Sequence, residues 1–164
     1  MVRVMATGVF DLLHPGHVSF LSEARKLGDE LVVVVARDST ARRVKHEPIN
    51  SEASRVKMVA ALKSVDRAIL GLEGNIYDIL PELRPDVIVL GFDQAHNEDH
   101  IQDEARKRGL RIKIVRLPRF EGDLDGTRKI VRRVGEWLRE QERPAAARRR
   151  PTRGGRRVGP ARRR

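Results

Sequence analysis

Five short apolar runs recur along the chain, each followed by a longer stretch whose apolar residues return every three or four positions. The runs Val2–Thr7, Leu31–Ala36, Val65–Leu70, Asp86–Gly91 and Leu110–Leu117 have the length and β-branched content of strands. Leu31–Ala36 is apolar without alternation, as expected of a strand buried on both faces of a parallel sheet. The periodic stretches predict helices over Pro15–Leu27, Glu52–Lys63, Asn75–Leu83, Glu98–Arg108 and Thr127–Glu142. Pro15 suits a first helical position, Ser51 is placed to cap the second helix, and Gly28 and Gly109 follow helices where left-handed caps occur. Arg37–Asn50 reads as polar and irregular, and Val131, Val134, Trp137 and Leu138 form an apolar face expected to be core. Strands alternating with helices predict an α/β fold: a Rossmann-like, doubly wound, five-stranded parallel sheet of order 3-2-1-4-5 in three α/β/α layers. That order puts the first and fourth strands side by side at the switch point, where ligands bind.

Composition narrows the class. The chain of 164 residues suits one domain, and with no cysteine it excludes a disulfide scaffold or a thiolate metal site. No run approaches the ~20 apolar residues of a membrane span, and Arg3 and Asp11 break the pattern of a signal peptide. A cytoplasmic protein with no membrane partner is the expectation. The net charge of +11 is localised, because the stretch 143–164 holds ten Arg and no acidic residue. A domain over residues 1–142, with a charge of only about +1, followed by a disordered Arg-rich tail over 143–164, is therefore expected. The tail could contact nucleic acid nonspecifically, but without an aromatic residue for base stacking a solubilising or neutral role is favoured.

The chemistry concentrates in Gly8-Val9-Phe10-Asp11-Leu12-Leu13-His14-Pro15-Gly16-His17, between the first strand and the first helix. Helix-start N–H groups favour an anion, Gly16 lets a ligand approach the backbone, and two imidazoles can donate to phosphate oxygens. This G-x-F-D-x-x-H-x-G-H pattern resembles the HxGH motif of the nucleotidyltransferase superfamily, in the form of its cytidylyltransferase-like branch. Val33–Ser39, Val65–Gly71 and Pro85–Gln94 look most like the archaeal FAD synthases of that branch. The resemblance spans residues 2–138.

That resemblance implies transfer of AMP from ATP to FMN, giving FAD and pyrophosphate by direct in-line attack, with a divalent cation, most simply Mg²⁺. It implies His14 and His17 as catalytic residues. Val9, Phe10, Pro15, Gly16, Asp93, Arg119, Phe120 and Thr127 would join them in binding the nucleotide, with Lys45, Arg55 and Arg128 on phosphates. Asp11 would order the turn or hold the metal. The chain departs from the family at Asp125-Gly126-Thr127, where a hydroxyl is missing and an acid stands near the expected anion. Three readings stay open: FAD synthase, a CTP-using cytidylyltransferase for glycerol 3-phosphate or a related phospho-alcohol, and a non-catalytic nucleotide- or nucleic-acid-binding protein. A homodimer is possible in this branch. His96 and His100, four residues apart among acids, read as a solvated helix start in preference to a metal site.

Overall fold

The computed structural model describes residues 1–44, 47–94 and 96–142. Residues 1–129 form one compact unit, and a second unit begins at Ile130. The expected tail, and with it the boundary at 142, falls at or beyond the edge of the described residues.

Five parallel strands carry the first unit: β1 (Arg3–Gly8), β2 (Glu30–Val35), β3 (Arg67–Leu70), β4 (Val87–Leu90) and β5 (Lys113–Arg116), in the order 3-2-1-4-5. The expected order holds. Successive side chains point to opposite faces of a strand, so the apolar runs feed two cores. Val4, Ala6, Leu31, Val33, Val35, Val87 and Val89 pack with Leu21 and Ala24 of α1 (Pro15–Arg25). Val59 of α3 (Glu52–Ala60) joins the same cluster. Met5, Val32, Val34, Ile88 and Leu90 face the other way, onto Leu80 and Leu83 of α4 (Leu80–Leu83). Ile101 and Ala105 of α5 (Glu98–Lys107) complete that second core.

The strand and helix ends differ by at most three residues from the sequence expectation, except that the helix expected over Asn75–Leu83 is a 3₁₀ turn, Ile76–Ile79, followed by α4, and two local features differ in kind. Arg37–Asn50 is not irregular throughout: Asp38–Val44 forms a helix, α2, with Asp38 in its first turn and Ala41 buried. Gly28 does not close α1 in a left-handed cap, because only Gly74 and Gly109 have positive φ among the glycines described. It is needed for space, since a Cβ there would stand 2.6 Å from the Val2 carbonyl oxygen. Gly109, with φ of 71°, does close α5 as expected. Ser51 caps α3 by accepting from the Ser54 N–H at 3.3 Å.

The last helix, α6 (Thr127–Glu142), has the expected bounds and runs from the first unit into the second. Its apolar face is not core: Trp137 is 56% exposed, and Val131, Val134 and Leu138 are about as open. Among the described residues no helix is long and apolar enough to cross a membrane.

Candidate active site

The turn after β1 is built to hold two imidazoles at the C-terminal ends of adjacent strands β1 and β4. Phe10 takes the left-handed conformation, with φ of 50°, a strained geometry for a bulky residue. The turn is fixed from below. Phe10 is buried in the core, and its ring lies so close to Gly8 that a Cβ there would meet it at 2.8 Å.

Above the turn the rings form a stack. Phe10 meets His17 edge-on with centroids 5.2 Å apart, and His17 lies nearly parallel to His14 at 3.7 Å. His14 is also the N-cap of α1: its Nδ1 accepts the His17 N–H at 3.3 Å. An accepting Nδ1 leaves Nε2 to carry the proton of a neutral ring, an assignment made from the hydrogen bond. Pro15 and Gly16 complete the first turn. Gly16 admits close approach as expected, but the group that approaches is protein: a Cβ there would stand 2.5 Å from the Asp125 carbonyl oxygen.

That contact brings the loop before α6 to the motif. The Asp125 carboxylate, only 4% exposed, pairs with Lys129 at 2.6 Å and with Arg119 at 3.5 Å. The hydrogen bond from Lys129 holds its pKa below the ordinary carboxylate value, against the opposing effect of burial. Arg119 also sits over the Phe92 ring at 5.4 Å. Phe92 and Phe120 are both exposed enough to receive a ligand. Thr127 opens α6 two residues after Asp125, and Arg128 follows on its exposed side. The departure from the family pattern at Asp125 therefore has a structural reason, an acid that orders the two nearest cations.

Asp93 is exposed in the turn after β4 and lines one cavity with Thr7, Gly8 and Val9. Its neighbour Gln94, which the sequence did not single out, ties the two strand ends together. Its side chain accepts from the Gly91 N–H at 3.0 Å and donates to the Thr7 carbonyl at 2.7 Å.

Two expected site residues have other work. Arg55 is completely buried, so it does not meet a substrate phosphate. Its guanidinium donates to the Val9 carbonyl, to the Asn50 carbonyl at 3.1 Å and to Asp38 at 2.7 Å. Arg55 thus clamps the motif turn to the start of α2, and its hydrogen bond is the main cause of the lowered Asp38 pKa. Asp11 is buried, and its two oxygens accept from the N–H groups of Ile49 and Asn50, each at 2.9 Å, and from the Asn50 side chain. It orders the turn; holding a metal is the part of the expectation that this bonding does not support. Among the described residues no group of three or more His, Asp or Glu could hold a metal ion, which includes His96 and His100. Lys45 lies outside the described residues.

A Rossmann-like sheet with paired imidazoles over a helix start at its switch point is the arrangement of a nucleotidyltransferase. The cytidylyltransferase-like family model matches residues 5–145, and the chain belongs to that family. It is similar to the FAD synthase of Aciduliprofundum boonei, at 61% identity over 135 residues, covering 82% of this chain and 91% of that protein. It is also similar to the FAD synthase of Thermoplasma volcanium, at 49% identity over 86% of this chain and 99% of that one. A crystal structure described as a lipopolysaccharide core biosynthesis protein from Thermoplasma volcanium superposes with a TM-score of 0.72. That pair shares 54% sequence identity, covering 74% of this chain and 99% of the other.

Proposed function

We propose that this protein is an FAD synthase that transfers AMP from ATP to FMN. A phosphate oxygen of FMN attacks the α-phosphorus of ATP. The new P–O bond forms in line as the bond to the bridging oxygen of the β-phosphate breaks, and pyrophosphate leaves. A phosphate monoester is already a nucleophile, so the site needs positioning and charge neutralisation more than a base. His14 and His17 donate to phosphate oxygens as negative charge shifts toward the leaving group, joined by the α1 N–H groups. Val9, Phe10, Pro15 and Gly16 form the cradle; Arg119, Phe120, Thr127 and Asp93 serve the nucleotide. Arg128 is available to the phosphates from the exposed side, and Lys45 keeps the phosphate role that the family implies. A divalent cation, most simply Mg²⁺, enters with ATP as part of the substrate, held mainly by its phosphates and water.

The observation that carries the choice of FMN is the 61% identity to an FAD synthase over nearly its whole length. The test supplies purified protein with Mg²⁺ and either ATP plus FMN or CTP plus glycerol 3-phosphate, and follows pyrophosphate and product. FAD formed from the first pair is the expected result; turnover of the CTP pair alone overturns the proposal.

A further inference from the structure

α6 is amphipathic, and none of its 16 residues is buried. Ile130, Val131, Val134, Trp137 and Leu138 return every three or four positions and share one face, a stripe roughly 120° wide. Ile130 is half-buried, and the other four are each about half open to solvent. A helix this short draws most of its stability from packing of its apolar face, so a stripe of this width calls for a cover. The stretch 143–164 is a poor one, since Val158 is its only branched apolar residue and it has no aromatic.

Charge identifies the cover. The first half of α6 carries Arg128, Lys129, Arg132 and Arg133 and no acid, whereas the second carries Glu136, Glu140 and Glu142 against Arg139 alone. A partner lying along this face needs the reverse order, acidic and then basic, and α6 run backwards has it. We infer that α6 pairs with α6 of a second copy of this chain, antiparallel, about a two-fold axis between Gly135 and Glu136. In that register Val134 of each copy packs on Trp137 of the other, Val131 lies beside Leu138, and Arg133 faces Glu140. The arrangement also sends the two arginine-rich stretches that follow residue 142 away from opposite ends of the pair. A parallel pair would set ten arginines beside ten, and basic half beside basic half. An acidic lipid surface is the poorer fit, because it favours a polar face rich in Lys and Arg throughout, and the second half of α6 has three glutamates. A seam of about 12 residues, roughly 18 Å of helix, is short for an interface, so a dimer that dissociates in the micromolar range is expected. The pairing does not depend on the FAD synthase reading.

The test is sedimentation velocity of the full chain over about 1–100 μM, the range that reads micromolar association. The variants are Trp137→Ala, Arg133→Glu, Glu140→Arg and the double reversal that combines the last two. All three positions are exposed, so the substitutions reach solvent and not core. The parent is expected to show a monomer–dimer equilibrium. Trp137→Ala removes an aromatic anchor from the seam and should raise the Kd by about thirtyfold or more. Each single reversal turns two attractive pairs into two repulsive ones and should raise the Kd by about tenfold. The double reversal restores both pairs and should return the Kd to within about threefold of the parent, which also shows that the chain folds. A parent that stays monomeric over the whole range overturns the proposal, and so does a dimer that Trp137→Ala leaves intact. Sedimentation with phosphatidylserine vesicles tests the other cover: capture that Trp137→Ala abolishes, with no dimer in solution, would give this face to a lipid surface and overturn the pairing. Single reversals without effect, or a double reversal that does not restore the dimer, overturn the antiparallel register.

Discussion

His14 has two tasks that pull in different directions. As the N-cap it keeps Nδ1 aimed at the His17 N–H, and in the proposed reaction it would present Nε2 to the ligand as a donor. The stacked His17 ring at 3.7 Å locks both imidazoles against rotation, so the donors are oriented before any anion arrives. Donors preorganised in this way act on the transition state, and losing one in other enzymes costs about 10²–10³ in rate. His17→Ala is therefore expected to lower kcat by about a hundredfold with little change in the KM for ATP. Steady-state kinetics on the purified variant check this, and a change confined to KM would contradict the transition-state role. Arg55 makes the opposite case. Removing a buried guanidinium strands a carboxylate and two carbonyls, a loss of about 3 kcal/mol or more. Arg55→Met should lower the denaturant midpoint by that equivalent, whereas a phosphate ligand would have left stability intact. Its motif made the histidine pair visible from sequence alone. The work of Arg55 was not visible, because its partners Val9, Asp38 and Asn50 lie up to 46 residues away and only folding places them around it.

Elements were legible where burial is uniform. The run Leu31-Val32-Val33-Val34-Val35 has no polar residue to place outward, and a central strand with cover on both faces is its natural setting. α2 was missed because seven residues with five polar or charged side chains give little period. Ala41 and Val44, three apart, were its only apolar signal. α6 shows the converse: its spacing is that of a core helix, yet Trp137 is half exposed. α5 is anchored by charge as well as by Ile101 and Ala105. Glu104 accepts from Lys107 and from Arg108, each at 2.6 Å, and Arg108 also reaches Asp78 across to the segment before α4. The hydrogen bonds from Lys107 and then Arg108 pull the Glu104 pKa from its ordinary 4.5 down to about 2. A depressed folded-state pKa stabilises the native protein above the unfolded value and is lost as pH falls through the folded one. The stability that Glu104 adds is thus complete above about pH 4.5 and gone near pH 2. Glu104→Gln should unfold at lower denaturant than the parent at pH 6, with the gap closing between pH 4.5 and 2. A gap independent of pH would mean that the ion pairs add nothing to α5.

At the scale of the whole molecule the charge is unevenly divided along the sequence. Ten of the arginines lie in 143–164, and the residues before them are close to neutral, so the field that draws anionic ATP and FMN toward the site has two sources. The near source is the site itself, with Arg119, Lys129 and the α1 helix start. There Asp125 offsets part of the positive charge through its pairs with Arg119 and Lys129. The other source is the arginine run of 143–164, whose pull on an approaching anion lasts only while salt leaves it unscreened. At about 0.15 M salt the screening length is roughly 8 Å, so long-range attraction by the run is largely damped there. Deleting residues 143–164 should therefore leave kcat and both KM values within about twofold at that salt. At low ionic strength the shortened chain should show a lower kcat/KM with an unchanged kcat, since attraction at a distance raises the rate of association alone. Kinetics of the two chains across a salt series separate these effects. A fall in kcat at every salt concentration would show instead that the arginines reach the reacting phosphates.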